Sequence, residues 1–151
     1  MLLTAELETN EIEALRQWLQ QCPMLSNENP FRINFLNDEE EEYSIQQTPS
    51  ALRYNENVLG EFIPSRDQTI NFTLRMRLPY GKDVSQNLMN TGFCQEIVLW
   101  IIARSREQDF PKFVNGRVVA ILPTLSPYIS ESGPDTAIYQ ITLQVSYKLN
   151  R

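Results

Sequence analysis

The sequence predicts an α+β domain: a mixed, mainly antiparallel β-sheet with two main helices packed on one face. Three observations carry that expectation. Residues 69–78 and the last segment, through Tyr139, Ile141, Leu143, Val145, Tyr147 and Leu149, alternate apolar with polar side chains at the period of a strand. Two stretches, near residues 12–22 and 83–107, repeat apolar residues at helical spacing. Helix, strands, helix, strands is the order that collects helices on one face of a sheet.

The first helix runs through Ile12, Leu15, Leu19 and Cys22, with Trp18 beside them, so one stripe is buried. Asn10 is placed to cap it and Glu13 completes a capping box, although Thr4 or Thr9 would start it earlier. Glu8, Glu11 and Glu13 lie in or before the first turn, where the helix dipole favours negative charge. Pro23 stops it. Residues 31–36 alternate Phe31, Ile33 and Phe35 with Arg32 and Asn34, a strand pattern. Asp38, Glu39, Glu40, Glu41 and Glu42 follow. Five adjacent carboxylates repel one another and cannot be buried unpaired, which predicts an exposed loop or hairpin tip. Residues 43–47 return as a short strand. Residues 48–65 hold two prolines and Gly60 and read as a long irregular connection, of a kind that often carries function.

In the strand at 69–78, Ile70, Phe72, Leu74, Met76 and Leu78 point to the core, while Thr69, Asn71, Thr73, Arg75 and Arg77 point away. Pro79, Tyr80 and Gly81 end it. The helical region from Asp83 through Glu107 is predicted to break or kink near Thr91 and Gly92, and its apolar face carries Phe93, Ile97, Trp100 and Ile101, with Arg104 as a polar tail. Residues 118–122 are continuously apolar between Gly116 and Pro123, the mark of an interior strand. Ser132, Gly133, Pro134 and Asp135 signal a turn. The final strand exceeds the usual length, and such a strand often reaches beyond its own domain.

At 151 residues, with 42% hydrophobic and 21% charged, the chain is sized and composed as a single domain over residues 1–151. It contains no histidine, which excludes a Ser-His-Asp triad, a Cys-His dyad and any histidine-ligated metal site built from this chain alone. The net charge of −6 argues against a protein that grips nucleic-acid phosphates. Charge is uneven: up to Glu61 there are 12 acids and 3 bases, and beyond it 7 acids and 10 bases. That asymmetry suits head-to-tail contact between copies, and equally a chance clustering on solvated surfaces. The acidic run lacks the spaced Asp-x-Asp-x-Asp-Gly ligand pattern of a calcium loop. Carboxylate catalysis needs a facing pair with one member raised in pKa; Glu96, the one acid in the apolar part of the second helix, is expected on its exposed side. No phosphate-cradling glycine loop is present, and Asn71-Phe72-Thr73 matches a glycosylation acceptor only inside a strand. A non-enzymatic chain without catalytic residues, metal or cofactor is expected.

The longest apolar run, residues 97–103, is too short for a membrane span, and the first residues lack the basic region of a secretory signal. Cys22 and Cys94 sit in apolar stretches and read as free, reduced thiols, with cytoplasmic synthesis.

The run Pro79-Tyr80-Gly81-Lys82-Asp83-Val84-Ser85-Gln86-Asn87, continuing to Asn90-Thr91-Gly92-Phe93 and a helix with Trp100, resembles the middle of minor capsid proteins of long-tailed phages and prophages of Gram-positive bacteria. Pro127-Tyr128, and Asp135 through Ile141 leading to Tyr147, fit the same pattern, as do Trp18-Leu19 and the approach from Gly60 to Phe72. The likeness spans nearly the whole chain in short, degenerate motifs. The family is similar to tail terminators. The resemblance implies an α+β fold, a homohexameric ring at the top of the tail tube, and contacts with the major tail tube protein and a head-completion or connector protein. DNA would pass through the lumen without specific binding. The location implied is the virion tail or neck, after assembly in the host bacterial cytoplasm. The resemblance carries over no catalytic residue.

Two surfaces follow as expectations. Asp38, Glu39, Glu40, Glu41 and Glu42 would line the lumen and keep DNA from sticking. Arg75 and Arg77 would touch an acidic neighbour in the ring or the tube, against the plain alternative of solubility. A head-closure or neck connector protein, or a non-viral adaptor domain, remains the alternative to a tail terminator.

Overall fold

The computed structural model describes residues 11–25, 30–36 and 42–150. Among them the chain forms two helices and eight strands in an α+β arrangement. The elements, in order, are α1 (Glu11–Leu19), β1 (Phe31–Ile33), β2 (Glu42–Thr48), β3 (Tyr54–Glu56), β4 (Phe62–Pro64), β5 (Asp67–Pro79), α2 (Val84–Arg106), β6 (Gly116–Pro123), β7 (Tyr128–Ser132) and β8 (Thr136–Leu149). Six strands make one mixed sheet in the order β1-β2-β5-β8-β6, with β7 also pairing β8; β3 and β4 form a separate two-stranded hairpin. All pairs are antiparallel except β1 with β2.

The two long strands β5 and β8 pair from Asp67 with Lys148 to Pro79 with Thr136. Because opposed residues share a face, the strand periods noted in the sequence become apolar rows. Tyr43, Met76 and Tyr139 form one; Ile45, Leu74 and Ile141 the next; Phe72 and Leu143 a third. These side chains are buried, and the helices close over them with Leu15, Trp18, Leu19, Cys94, Ile97 and Ile101. Each fully buried aliphatic side chain stabilises the fold by about 1.5–3 kcal/mol, so these rows are its main support. The helices meet at Trp18 and Trp100, whose rings lie 5.0 Å apart. The Trp18 indole N–H donates to the Asp109 carbonyl at 2.9 Å, tying α1 to the end of α2.

Several expectations change. The proposed cap at Asn10 lies outside the described residues. The strand pattern at 31–36 yields only three strand residues, because Asn34 turns into the left-handed region at φ 57° and leaves Phe35 exposed. β1 and β2 pair in parallel, so these two strands do not form a hairpin with each other. α2 runs unbroken through Gly92, because a single glycine costs a helix interior only about 1 kcal/mol, which the packing of the turns on either side offsets. Phe93, Ile97, Trp100 and Ile101 do face the sheet, and Glu96 is exposed.

β6 is an edge strand, not an interior one: it pairs β8 alone and its burial alternates, leaving Val119 and Leu122 exposed. An apolar run at a sheet edge looks the same in sequence as one at the centre. β8 does not project; β5 pairs it on one flank, β6 and β7 on the other. The turn at 132–135 closes the β7–β8 hairpin, with the Gly133 N–H donating to the Thr136 carbonyl at 2.8 Å. The strand β7 itself escapes sequence reading because all five of its residues are exposed.

Candidate interaction surfaces

The motif that runs from Pro79 to Phe93 builds the corner between β5 and α2. Asp83 caps the helix, its side chain accepting from the Ser85 N–H at 3.0 Å. The Asn87 amide donates to the Gly81 carbonyl at 2.8 Å. Asn90 is buried in mid-helix and donates to the Pro79 carbonyl at 2.6 Å and to the Tyr139 hydroxyl at 3.4 Å, while accepting from Gln86 at 3.0 Å. Polar side chains at these spacings therefore hold a strand end to a helix. They act as structure, and they lie on the core side of the sheet.

The opposite face of the sheet is polar. Its central row crosses Ser44, Arg75, Gln140 and Tyr128, with Gln46 diagonal to Arg75 and opposite Thr73. Arg75 donates to Gln140 at 3.1 Å and to Gln46 at 3.4 Å, and Gln140 donates to the Tyr128 hydroxyl at 2.7 Å. Arg77 donates to the Thr136 hydroxyl at 3.1 Å and stands directly opposite Glu42 on β2. Both arginines are thus bound into the chain's own network before any neighbour is met. Thr73, the last residue of the glycosylation-like triplet, is buried on this face.

Glu42 departs from the reading of a five-acid exposed loop. It opens β2, is 1% exposed, and pairs with Arg32 at 3.3 Å. A carboxylate can be buried when a guanidinium meets it, and the parallel β1 strand supplies one. Asp38, Glu39, Glu40 and Glu41 lie outside the described residues.

Residues 48–65, expected to be irregular, contain the β3–β4 hairpin, whose two strands pack on no other helix or strand among the described residues. Its root is held by the buried Gln68 side chain, which donates to the Arg53 and Ser65 carbonyls at 2.8 Å each and accepts from the Arg53 N–H at 3.3 Å. Its tip is ordered by Asn57, whose side-chain oxygen accepts from the Leu59 and Glu61 N–H groups, and by Gly60 at φ 81°. The arm bares large apolar groups: Val58 is 101% exposed, Leu59 78% and Phe62 73%. The signal available in the sequence was Asn57-Val58-Leu59-Gly60, an Asx turn ending in a left-handed glycine, flanked by Tyr54 and Phe62.

At the far edge of the sheet, β6 carries a bulge between Val118 and Ala120. The bulge leaves Val119 without a partner on β8 and its side chain exposed. Beside it is a surface cavity of about 620 Å³ lined by Phe110, Lys112, Phe113, Arg117 and Val119. Phe113 is fixed there by an edge-on contact with Tyr147 at 5.3 Å.

Both cysteines are free and buried. Burial pushes the Cys94 thiol up to about 12 and raises that of Cys22 as well, which suits small core hydrophobes and not nucleophiles. Among the described residues no group of three or more Cys, Asp or Glu side chains is placed to hold a metal ion, and no helix is long and apolar enough to cross a membrane. No protein-family model and no curated protein matches the chain.

Proposed function

We propose that this chain is a structural virion-assembly protein of the tail-terminator type. It associates with copies of itself into a ring, ends the tail tube, and offers the surface to which a head-completion protein docks, with DNA passing through the lumen. The phage setting rests on the motif resemblance. The single structural observation that supports self-association is the amount of large apolar surface left outside the core at the arm and the β6 edge, the kind of surface that marks a protein-protein contact. In this reading the face that meets DNA is acidic at Asp38, Glu39, Glu40 and Glu41, with Glu42 excluded because it serves the fold.

Two measurements test it. Native mass of the purified chain, alone and with the major tail tube protein, is expected to give a closed oligomer in at least one of the two conditions; a monomer in both overturns the reading. Electron microscopy of particles from a phage lacking the gene is expected to show overlong tails. Tails of normal length beside heads that leak DNA would assign the chain to head closure instead.

A further inference from the structure

The arm and the β6 cavity have complementary chemistry. At the tip of the arm, Val58 and Leu59 are flanked by Glu56 and Glu61. In the cavity, Phe110 and Val119 offer apolar surface in an otherwise largely polar wall, with Lys112 and Arg117 exposed beside them and Phe113 buried behind. None of these four charged groups has an ion-pair partner among the described residues. Among the described residues, an acid-flanked apolar knob and a hollow that sets two basic side chains beside Phe110 and Val119 thus stand open.

Their placement suits two copies and not one. Both features lie at the same end of the sheet, on opposite flanks of β8. On the arm side, the Leu149 N–H donates to the Arg66 carbonyl at 2.7 Å; on the cavity side, the Asn150 N–H donates to the Asn115 carbonyl at 3.0 Å. Within one chain, among the described residues, the two arm strands pack only on each other, and the arm's root alone is tied to the sheet, through Gln68 at the start of β5. A copy laid alongside another brings the knob of the first to the hollow of the second. A volume of about 620 Å³ is ample for two aliphatic side chains.

The geometry points to head-to-tail docking of two copies of this chain, in which Val58 and Leu59 of one arm seat in the β6 cavity of the next, with Glu56 and Glu61 set against Lys112 and Arg117. The bulge at Val119 and the brace at Gln68 each gain a use: one presents an apolar contact at the strand edge, the other holds the arm at a set root. Such an interface is heterologous and repeats from copy to copy, closing into a ring when the rotation per step allows. The inference rests on the self-association in the proposed function and on none of its tail-specific part.

The test is site-specific cross-linking between two differently marked chains. Because Cys22 and Cys94 are both buried, an introduced surface thiol reacts alone. A chain carrying Leu59→Cys is mixed with one carrying Val119→Cys and treated with a short bismaleimide. A covalent heterodimer is expected, and none when Thr91→Cys replaces Val119→Cys. Adding Lys112→Glu and Arg117→Glu to the Val119→Cys chain is expected to abolish the heterodimer. Adding Glu56→Lys and Glu61→Lys to the Leu59→Cys chain is then expected to restore it, which a merely misfolded variant would not do. No heterodimer, or one indifferent to the charge reversals, overturns the inference. A ring of normal mass without the Leu59–Val119 cross-link would sink this interface while leaving the proposed function standing. The specific cross-link in a protein whose loss leaves tail length normal would do the opposite.

Discussion

Replacing Asn90 by alanine isolates the β5–α2 corner from the rest of the fold. Asn90 is buried, and its amide holds the Pro79 carbonyl at 2.6 Å and the Gln86 amide at 3.0 Å, with a longer contact to the Tyr139 hydroxyl. Two good hydrogen bonds are worth about 1 kcal/mol each, and a carbonyl left buried and unpaired costs about 1 kcal/mol more. Alanine returns about 0.5 kcal/mol through its better helix propensity. The net loss is about 2–3 kcal/mol, which for a domain of this size lowers Tm by roughly 5–10 °C. Thermal unfolding followed by circular dichroism, with urea denaturation alongside, reads both quantities. Asn90→Asp supplies a control with the same shape. Its carboxylate would face the Pro79 carbonyl, acceptor against acceptor, so the folded state raises its pKa above the ordinary value of about 3.9. The protonated form donates as asparagine does. The variant is therefore near wild type below about pH 4 and loses stability as pH rises through the raised folded value. If Asn90→Ala melts within about 1 °C of wild type, or Asn90→Asp shows no such pH dependence relative to wild type, the hydrogen-bond account of the corner is wrong.

Gly116→Ala is expected to lower stability by about 1–3 kcal/mol in urea, because a Cβ there would lie 2.7 Å from the Lys148 carbonyl oxygen and 2.9 Å from the Tyr147 ring. Glu42→Ser is expected to cost about 1–2 kcal/mol, a buried ion pair discounted for the solvent access of Arg32, whereas the fourfold change of Asp38, Glu39, Glu40 and Glu41 to serine leaves the melting of the chain within about 0.5 kcal/mol of wild type. Equal effects from the two variants would return Glu42 to the acidic run. Neither cysteine is expected to react with a thiol-specific chromogenic disulfide in the native protein at pH 8, and both are expected to react once guanidinium unfolds it, since burial raises both thiols and takes that of Cys94 to about 12.

Long amphipathic patterns proved readable one residue at a time. The core faces of β5 and β8 and the buried stripe of α1 follow from period alone, because burial on one face imposes that period wherever partners lie. The placing of Glu96 on the outer side of α2 followed in the same way. What failed to show were features set by neighbours in space. The arm residues Val58, Leu59 and Phe62 are apolar yet exposed, so no periodicity marks them. Val119 belongs to a surface because a bulge turns it out, and a bulge is a property of a strand pair.

By itself the sequence determined that a histidine-free, acidic chain would fold as an α+β unit around two long alternating strands, since alternation and helical spacing are local consequences of which side chains avoid water. Only the tertiary structure decided that β1 runs parallel to β2, that β6 is an edge, that Glu42 is buried against Arg32, and that an apolar arm and a basic-rimmed hollow stand on opposite flanks of β8. The reason is physical: strand order and the pairing of charges depend on contacts between residues far apart in the chain, and no local pattern encodes which of several apolar runs will find a partner on both sides.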